Sequence, residues 1–174
     1  MNTANKLTLL RVILIPIFLV VLYWGFPGCN YVAMAIFVAA SATDFADGYI
    51  ARKRGQVTDF GKFLDPLADK VLVVAAMLWF LDQHILPAWA VLIVIIREFT
   101  ITALRLIAAS GGRVIAAANL AKLKTATTMV CLTVMFLPIP AWLVTVFIAL
   151  IVVTTLLSGI EYMVKNRDVL KMTK

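Results

Sequence analysis

The sequence predicts an all-α integral membrane protein with six transmembrane helices. Of its 174 residues, 63% are hydrophobic and only 14% are charged, and the mean hydropathy is +1.01. A soluble domain is usually about 45–50% apolar and about 25% charged, so the composition excludes the soluble classes. At roughly 20 apolar residues for each membrane span, the chain has room for six spans and little else. We therefore expect a single membrane domain over residues 1–174.

Six apolar runs mark the predicted helices in chain order. A short polar segment that precedes the first run is expected to lie along the membrane interface. A loop with Gly55 and Gly61 separates the second run from the third. Ser110–Gly112 ends the fourth run and Pro138–Pro140 precedes the sixth, because glycine and proline interrupt helices. The runs are Leu7–Tyr23, Tyr31–Ile50, Phe63–Leu81, Pro87–Ala109, Val114–Leu137 and Ala141–Val164.

The basic residues predict the orientation of these helices. They concentrate at the N-terminus, between the second and third runs, around the end of the fourth run and the start of the fifth, and in the C-terminal tail. The connections Gly25–Asn30, Asp82–Leu86 and Pro138–Pro140 contain none. Because cytoplasmic loops carry an excess of Lys and Arg, both termini are expected in the cytoplasm. Contact with anionic lipid and anionic substrates then explains the net charge of +7, and no nucleic-acid partner is expected.

Four carboxylates interrupt the second and third runs. Asp44 and Asp47 are i, i+3 neighbours, and Asp65 and Asp69 are i, i+4 neighbours, so each pair projects from one side of its helix. The short connection should make the two helices antiparallel, which brings both pairs together in the cytoplasmic third of the bilayer. One ionised carboxylate near the bilayer centre costs about 2.5–3.5 kcal/mol, and four together would repel or take up protons unless cations intervened. The pattern therefore predicts a divalent-cation site.

The residues around the carboxylates suit phosphoryl transfer. Oxygen ligands select Mg²⁺ or Mn²⁺, and two such ions can clamp the attacking and leaving oxygens of a displacement. Gly48 and Ala51 share a helix side with Asp44 and leave room for a ligand, while Arg52 offers a planar fork to phosphate. Each residue alone could be structural, since small residues also mark helix packing. The combination of eight positions over 26 residues favours an enzyme site.

The spacing from Asp44 to Asp69, D-x2-D-G-x2-A-R-x8-G-x3-D-x3-D, resembles the signature of the CDP-alcohol phosphatidyltransferase family. The resemblance implies that Asp44, Asp47 and Asp65 hold the metal ions. It implies that Asp69 shares one ion and takes the proton of the acceptor's hydroxyl group. An alcohol would then attack the phosphorus that bears the lipid, with CMP as the leaving group. The residues implied to contact the CDP-lipid are Gly48, Ala51, Arg52 and Gly61.

The second half of the chain indicates an anionic acceptor. Arg97, Glu98 and Arg105 lie in the fourth run, and Lys122 and Lys124 lie at the start of the fifth. Internal pairs between Glu98 and either arginine are one structural alternative, and positive-inside placement of the lysines is another. Together, these residues would place surplus positive charge beside the metal site.

Further motifs resemble the branch of the family whose acceptor is sn-glycerol 3-phosphate. They imply that CDP-diacylglycerol and this acceptor give phosphatidylglycerophosphate and CMP. Ala4, Ala121 and Thr128 depart from residues that are frequent in relatives. The matching motifs are Asn5-x-x-Thr8-x-x-Arg11, Arg97-Glu98-Phe99, Leu104-Arg105, Gly112-x-Val114, Ala116–Asn119 and Lys122-x-Lys124-Thr125.

Two groups of residues are assigned to the acceptor's side of the cavity. The candidates for its phosphate are Arg105, Lys122 and Lys124. The candidates that line the cavity without an assigned role are Asn5, Thr8 and Arg11. Within the family, an inositol phosphate, phosphatidylglycerol or serine are alternative acceptors, and a divalent-cation transporter is the alternative from another class. The resemblance also implies a homodimer in the plasma membrane of a bacterium, with the site facing the cytoplasm.

Overall fold

All regular structure in the described part of the chain is α-helical. The structure is a computed structural model that describes the backbone of residues 3–54, 59–110, 115 and 119–168, and the side chains of residues 9–43, 70–109, 115 and 119–168. Within those residues, the predicted all-helical class and the order of six helices are confirmed. The helices are α1 Thr3–Trp24, α2 Cys29–Arg54, α3 Asp59–Asp82, α4 Ala88–Ser110, α5 Asn119–Met135 and α6 Ala141–Lys165.

The helix ends differ from the apolar runs at three places. α1 begins at Thr3, so the polar segment before the first run is helical and continuous with it. α3 begins at Asp59 and includes Gly61, which the sequence placed in a loop. Ile115, which the sequence placed in the fifth run, lies outside a helix and packs against a buried cluster of α4 and α6. Apolar composition reports burial in lipid or protein alike, and it therefore does not fix where a helix starts.

The chain divides into two compact units. The first consists of Met1–Asp82 and Leu132–Pro138, and in it α1 packs on α2 and α3, and α2 contacts α3. The second consists of Gln83–Cys131 and Ile139–Lys174, and in it α4 packs on α6.

A cluster of buried aromatic rings forms much of the first unit's core. Phe136, in the turn after α5, has its ring centroid 4.7–6.1 Å from those of four other rings. All five side chains are buried. Aromatic pairs at such distances contribute about 0.5–1.5 kcal/mol beyond the burial of their area, so this cluster ties the three helices together. The four rings are those of Phe18 in α1, Phe37 in α2, and Trp79 and Phe80 in α3.

The connection between α1 and α2 is short because two glycines adopt left-handed conformations. Gly25 has a φ of 69° and Gly28 a φ of 86°, a region that glycine enters without steric cost. The N–H of Cys29 donates to the carbonyl of Phe26 at 3.0 Å, which closes the turn.

One helix in the described part of the chain, α6, is long and apolar enough to cross a membrane, judged by length and composition. Its most apolar window has a mean hydropathy of 2.6. Shorter apolar stretches, Leu9–Trp24 and Cys29–Thr43, lie within α1 and α2.

Candidate active site

The four predicted metal ligands lie on two helices of the first unit that contact each other. Asp44 and Asp47 belong to α2, and Asp65 and Asp69 belong to α3. The backbone is helical at both pairs, which agrees with the i, i+3 and i, i+4 spacing that places each pair on one side of its helix. The four side chains lie outside the described residues, so their convergence stays a prediction.

The expected CDP-lipid contacts lie on the same two helices. Their contacts also fall outside the part of the chain whose side chains are described, and they stay predictions. Among the side chains that are described, no group of three or more His, Cys, Asp or Glu residues is placed to hold a metal ion. The residues in question are Gly48, Ala51 and Arg52 in α2, and Gly61 in α3.

Arg11, one of the expected cavity residues, is completely buried in the first unit. Its Nε donates a hydrogen bond to the carbonyl oxygen of Ala40 at 3.3 Å. Ala40 lies one helical turn before Asp44, so the guanidinium group lies beside the turn that leads into the carboxylate pair. Asn5 and Thr8 precede Arg11 on α1, and their side chains are outside the described residues. The structure thus connects Arg11 to α2 near its first carboxylate.

Three charged side chains of the second unit form a compact cluster. Glu98 Oε1 accepts hydrogen bonds from Arg97 Nη1 at 2.7 Å and from Lys124 Nζ at 2.8 Å. The side chains of Arg97, Glu98 and Lys124 are 11%, 19% and 5% exposed. Both cations therefore bind the same carboxylate oxygen. The Arg97–Glu98 pair is one of the two internal pairs that the sequence offered.

Arg97 presents a second, unused edge of its guanidinium group. Its Nε and Nη2 atoms are buried and have no hydrogen-bond partner within the described part of the chain. Nε and Nη2 form a planar fork that matches two oxygens of a phosphate or carboxylate. An unsatisfied buried donor costs about 1–3 kcal/mol, and this edge therefore suits an anionic ligand. Gly159 of α6 lies beside this side chain, since a Cβ atom there would be in ordinary van der Waals contact with Arg97 Cγ, at 3.4 Å.

Arg105, a predicted phosphate ligand, is fixed by Tyr162 of α6. Its Nε donates to the Tyr162 hydroxyl at 3.0 Å, and its Cζ lies 5.4 Å from the centroid of the same ring. Tyr162 is itself buried against Ile101, Leu104 and Ala108 of α4. A cation within about 6 Å of a ring centroid is attracted by the ring, so Tyr162 holds Arg105 by two interactions.

The two predicted phosphate-binding lysines have different surroundings. Lys122 is exposed on α5, whereas Lys124 is buried and bound to Glu98. The alternative of simple positive-inside placement therefore fits Lys122 better than Lys124.

Sequence reasoning left three residues of this unit out of the proposed site. Arg97 carried a usable signal, since a charge inside an apolar run is a functional candidate by default. Gly159 and Tyr162 carried none, because a glycine and a tyrosine near the end of an apolar helix are ordinary. Their contacts join α4 to α6, and only the fold brings these segments together.

Comparison with known proteins connects this arrangement to a family. A model of the CDP-alcohol phosphatidyltransferase family matches residues 1–158. A Bacillus subtilis (strain 168) protein named CDP-diacylglycerol–glycerol-3-phosphate 3-phosphatidyltransferase is 42% identical over 98% of this chain and 97% of its own length. A Salmonella typhimurium protein of the same name is 41% identical over 93% of both chains. A Mycobacterium tuberculosis (strain H37Rv) protein named probable phosphatidylglycerophosphate synthase is 37% identical over 97% of this chain and 83% of its own.

The helical fold, the spacing of the carboxylates and these matches define the class of the protein. The chain belongs to the CDP-alcohol phosphatidyltransferase family, and the family predicted from residues 44–69 is confirmed. Within that family, the relatives compared above carry names that specify glycerol 3-phosphate as acceptor or phosphatidylglycerophosphate as product.

Proposed function

We propose that this protein transfers the phosphatidyl group of CDP-diacylglycerol to sn-glycerol 3-phosphate, giving phosphatidylglycerophosphate and CMP. The observation that carries the proposal is the unbroken spacing from Asp44 to Asp69 on two helices in contact. The names of relatives that are 37–42% identical over nearly the whole chain support the same reaction. We treat residues 1–174 as one functional domain.

The carboxylates fit two divalent cations because four oxygen-donor side chains belong to two helices in contact. Asp44, Asp47, Asp65 and Asp69 would hold two Mg²⁺ or Mn²⁺ ions. When bound, such ions neutralise phosphate charge and make a nearby hydroxyl group more acidic.

The transfer itself needs a base and precise placement of the two substrates. Asp69 takes the proton from the acceptor's primary hydroxyl group. The hydroxyl oxygen bonds to the phosphorus that bears the lipid, the bond from that phosphorus to CMP breaks, and CMP leaves with the electron pair. Arg52 neutralises charge on the diphosphate, and the small residues Gly48, Ala51 and Gly61 allow its close approach. Such transfers depend on positioning and charge neutralisation rather than on a protein nucleophile.

The acceptor's phosphate is assigned to the basic side chains of α4 and α5. Arg105, Lys122 and Lys124 were candidates from the sequence, and the unused buried edge of Arg97 adds a bidentate donor. Arg105 and Lys124 are each held by a polar partner, Tyr162 and Glu98 respectively, which lowers the entropy lost when they bind an anion. We assign Arg11, with Asn5 and Thr8, to the lining of the cavity, and the full burial of Arg11 supports this role.

We further propose that all six helices span the plasma membrane of a bacterium, with both termini and the active site on the cytoplasmic side. Large apolar side chains are exposed on several helices. A soluble protein rarely exposes apolar surface on this scale, whereas lipid accommodates it. Examples with their exposed fractions are Trp24 77%, Phe99 71%, Leu106 67% and Trp142 67%.

The direction of two helices supports this topology. Arg97 faces Gly159 and Arg105 faces Tyr162, so the contacts advance in the same direction along α4 and α6. This order of contacts supports a parallel pair, as expected for even-numbered spans of a chain that crosses a membrane with every helix. The polar start of α1 is assigned to the membrane interface, and a homodimer is proposed from the family resemblance.

An acceptor panel tests the proposed reaction. Purified protein is given labelled CDP-diacylglycerol, Mg²⁺ or Mn²⁺, and one of glycerol 3-phosphate, inositol phosphate, phosphatidylglycerol or serine, and CMP release is measured. Glycerol 3-phosphate should give CMP and phosphatidylglycerophosphate, and chelation of the metal should stop the reaction. No CMP release with glycerol 3-phosphate, alongside release with another acceptor, would refute the assignment. Metal-ion flux into proteoliposomes without CDP-lipid would instead favour a transporter.

A further inference from the structure

We propose that Glu98 is a positioning residue for the acceptor: it fixes the guanidinium group of Arg97 so that the Nε/Nη2 edge faces the acceptor's phosphate. The identity of the acceptor rests on the proposed function above. The inference about Glu98 rests on the geometry of the charged cluster.

The hydrogen bond at Nη1 determines where the rest of the guanidinium group points. A guanidinium group is planar and rigid, so an anchor at Nη1 fixes the direction of the fork formed by Nε and Nη2. Glu98 Oε1 provides that anchor at 2.7 Å. The Nε/Nη2 edge is buried and has no partner among the described residues. A site prepared for two phosphate oxygens requires such free donors.

Glu98 is itself held in place by a second cation. Lys124 Nζ, on α5, donates to the same Oε1 atom at 2.8 Å, and its side chain is only 5% exposed. The carboxylate is thus bound from two helices, and it cannot follow Arg97 freely if the arginine rotates.

A simpler role for Glu98 makes the opposite prediction. If Glu98 only neutralised buried charge, its replacement by glutamine would remove one negative charge from beside Arg97 and Lys124. An anionic acceptor would then bind as well or better, since opposite charges attract more strongly in a poorly solvated site. If Glu98 positions Arg97, the same replacement weakens acceptor binding despite the added positive charge. The sign of the change in acceptor KM therefore separates the two roles.

The first test compares steady-state kinetics of the full-length wild type, Glu98→Gln, Arg97→Ala and the double variant. Glu98→Gln should raise the KM for glycerol 3-phosphate roughly tenfold, the scale expected for one lost charge-assisted hydrogen bond. The KM for CDP-diacylglycerol should change by less than about twofold. Glu161→Gln, which removes the carboxylate that pairs with Lys165 on α6, is the matched control and should resemble the wild type.

The double variant tests whether Glu98 acts through Arg97. If it does, Glu98→Gln raises the acceptor KM clearly less once Arg97 is alanine, because interacting residues are not additive. The rise that remains reports the lost contact with Lys124. Independent, additive effects would overturn the proposal, and so would an unchanged or lower acceptor KM in Glu98→Gln. Arg97→Lys is a milder variant in case Arg97→Ala does not fold. The lysine keeps a positive charge that can pair with Glu98, but it lacks the Nε/Nη2 edge of arginine, so the acceptor KM of this variant should also rise.

A second measurement does not depend on which alcohol is the acceptor. Inorganic phosphate should raise the Tm of the detergent-solubilised wild type, because a ligand that binds only the folded state stabilises it. Glu98→Gln should need roughly tenfold more phosphate for the same rise, by the same lost hydrogen bond. Failure of glycerol 3-phosphate in the acceptor panel would refute the proposed function alone. Equal stabilisation of both proteins by phosphate, or none of the wild type, would refute the role of Glu98 alone.

Discussion

The two units of the chain bury different kinds of side chain. The described core of the first unit is largely apolar and centres on the aromatic ring of Phe136, with Arg11 as a buried charge. The described core of the second unit also contains apolar side chains, but it buries five polar or charged residues, which are Lys124, Thr128, Thr155, Ser158 and Asn166. An apolar frame suits carboxylates that need fixed positions, whereas a more polar interior suits an anion that must enter and leave. The contrast predicts that the chemical step and acceptor binding can be damaged separately.

The packing of α6 shows the same contrast at the level of one helix. Its buried positions are spaced so that they share one face, and all but one of them carry a hydroxyl group. Ser158 Oγ donates to the carbonyl of Thr155 at 3.0 Å, which satisfies its hydroxyl within the helix. Small and hydroxyl-bearing residues let membrane helices approach closely. The first unit, in contrast, fills the space between its helices with large aromatic rings. The buried residues are Ile151, Thr155, Ser158 and Tyr162.

The largest effect is expected from the carboxylates of the first unit. Asp69→Asn should lower kcat by about 10²–10⁴-fold, the usual contribution of a general base. It should leave binding of CDP-diacylglycerol largely intact because three metal ligands remain. Asp44→Asn should lose metal binding and activity together. The measurements are CMP release and binding of labelled CDP-diacylglycerol, with Asp82→Asn at the exposed end of α3 as the control. Equal and severe loss of lipid binding in both variants would contradict a separate base role.

The next largest effect is expected in the aromatic core. Phe136→Ala should lower the free energy of unfolding by about 3–5 kcal/mol, the range for a buried phenylalanine, because it removes contacts to rings from three helices. Phe99→Ala is the matched control, since Phe99 is 71% exposed, and it should change stability by no more than about 0.5 kcal/mol. Denaturation of the purified protein in detergent provides both values. Similar losses in the two variants would show that the ring cluster does not hold the first unit together.

A smaller and more selective effect is expected from the second unit. Arg105→Ala should raise the KM for glycerol 3-phosphate about tenfold, because a charge-assisted contact to phosphate is lost. The KM for CDP-diacylglycerol should stay within about twofold of the wild-type value. Arg167→Ala, an exposed arginine after α6, controls for the loss of a positive charge. An unchanged acceptor KM would remove Arg105 from the site.

The smallest effect is expected from Tyr162→Phe, which keeps the ring beneath Arg105 but removes the hydroxyl acceptor. One neutral hydrogen-bonding partner contributes about 0.5–1.5 kcal/mol, so the acceptor KM should rise only a few-fold. The same steady-state assay measures it. A rise larger than that of Arg105→Ala would mean that Tyr162 acts on the acceptor by another route.

Local features of the sequence predicted the helical fold and the family. Long apolar runs and the spacing from Asp44 to Asp69 each involve residues that are close together in the sequence, within one or two helices. The backbone at Ile115 could not be predicted in this way, because this residue is apolar yet lies outside a helix. The sequence offered Glu98 as a partner of Arg97, but Lys124 as a second partner of Glu98 could not be predicted, because only the fold brings α4 and α5 together. The metal site and the CDP-lipid contacts stay predictions.

The burial of the charged cluster determines how strongly dissolved salt weakens the binding of an anion. Mobile ions screen exposed charges over about 8 Å at physiological ionic strength, and buried charges much less. Lys122, which is exposed, should therefore attract an anion strongly only in dilute buffer. The 11% exposure of Arg97 places its fork largely out of reach of such screening. Retention of the acceptor should consequently vary little with potassium concentration, even where its first approach does.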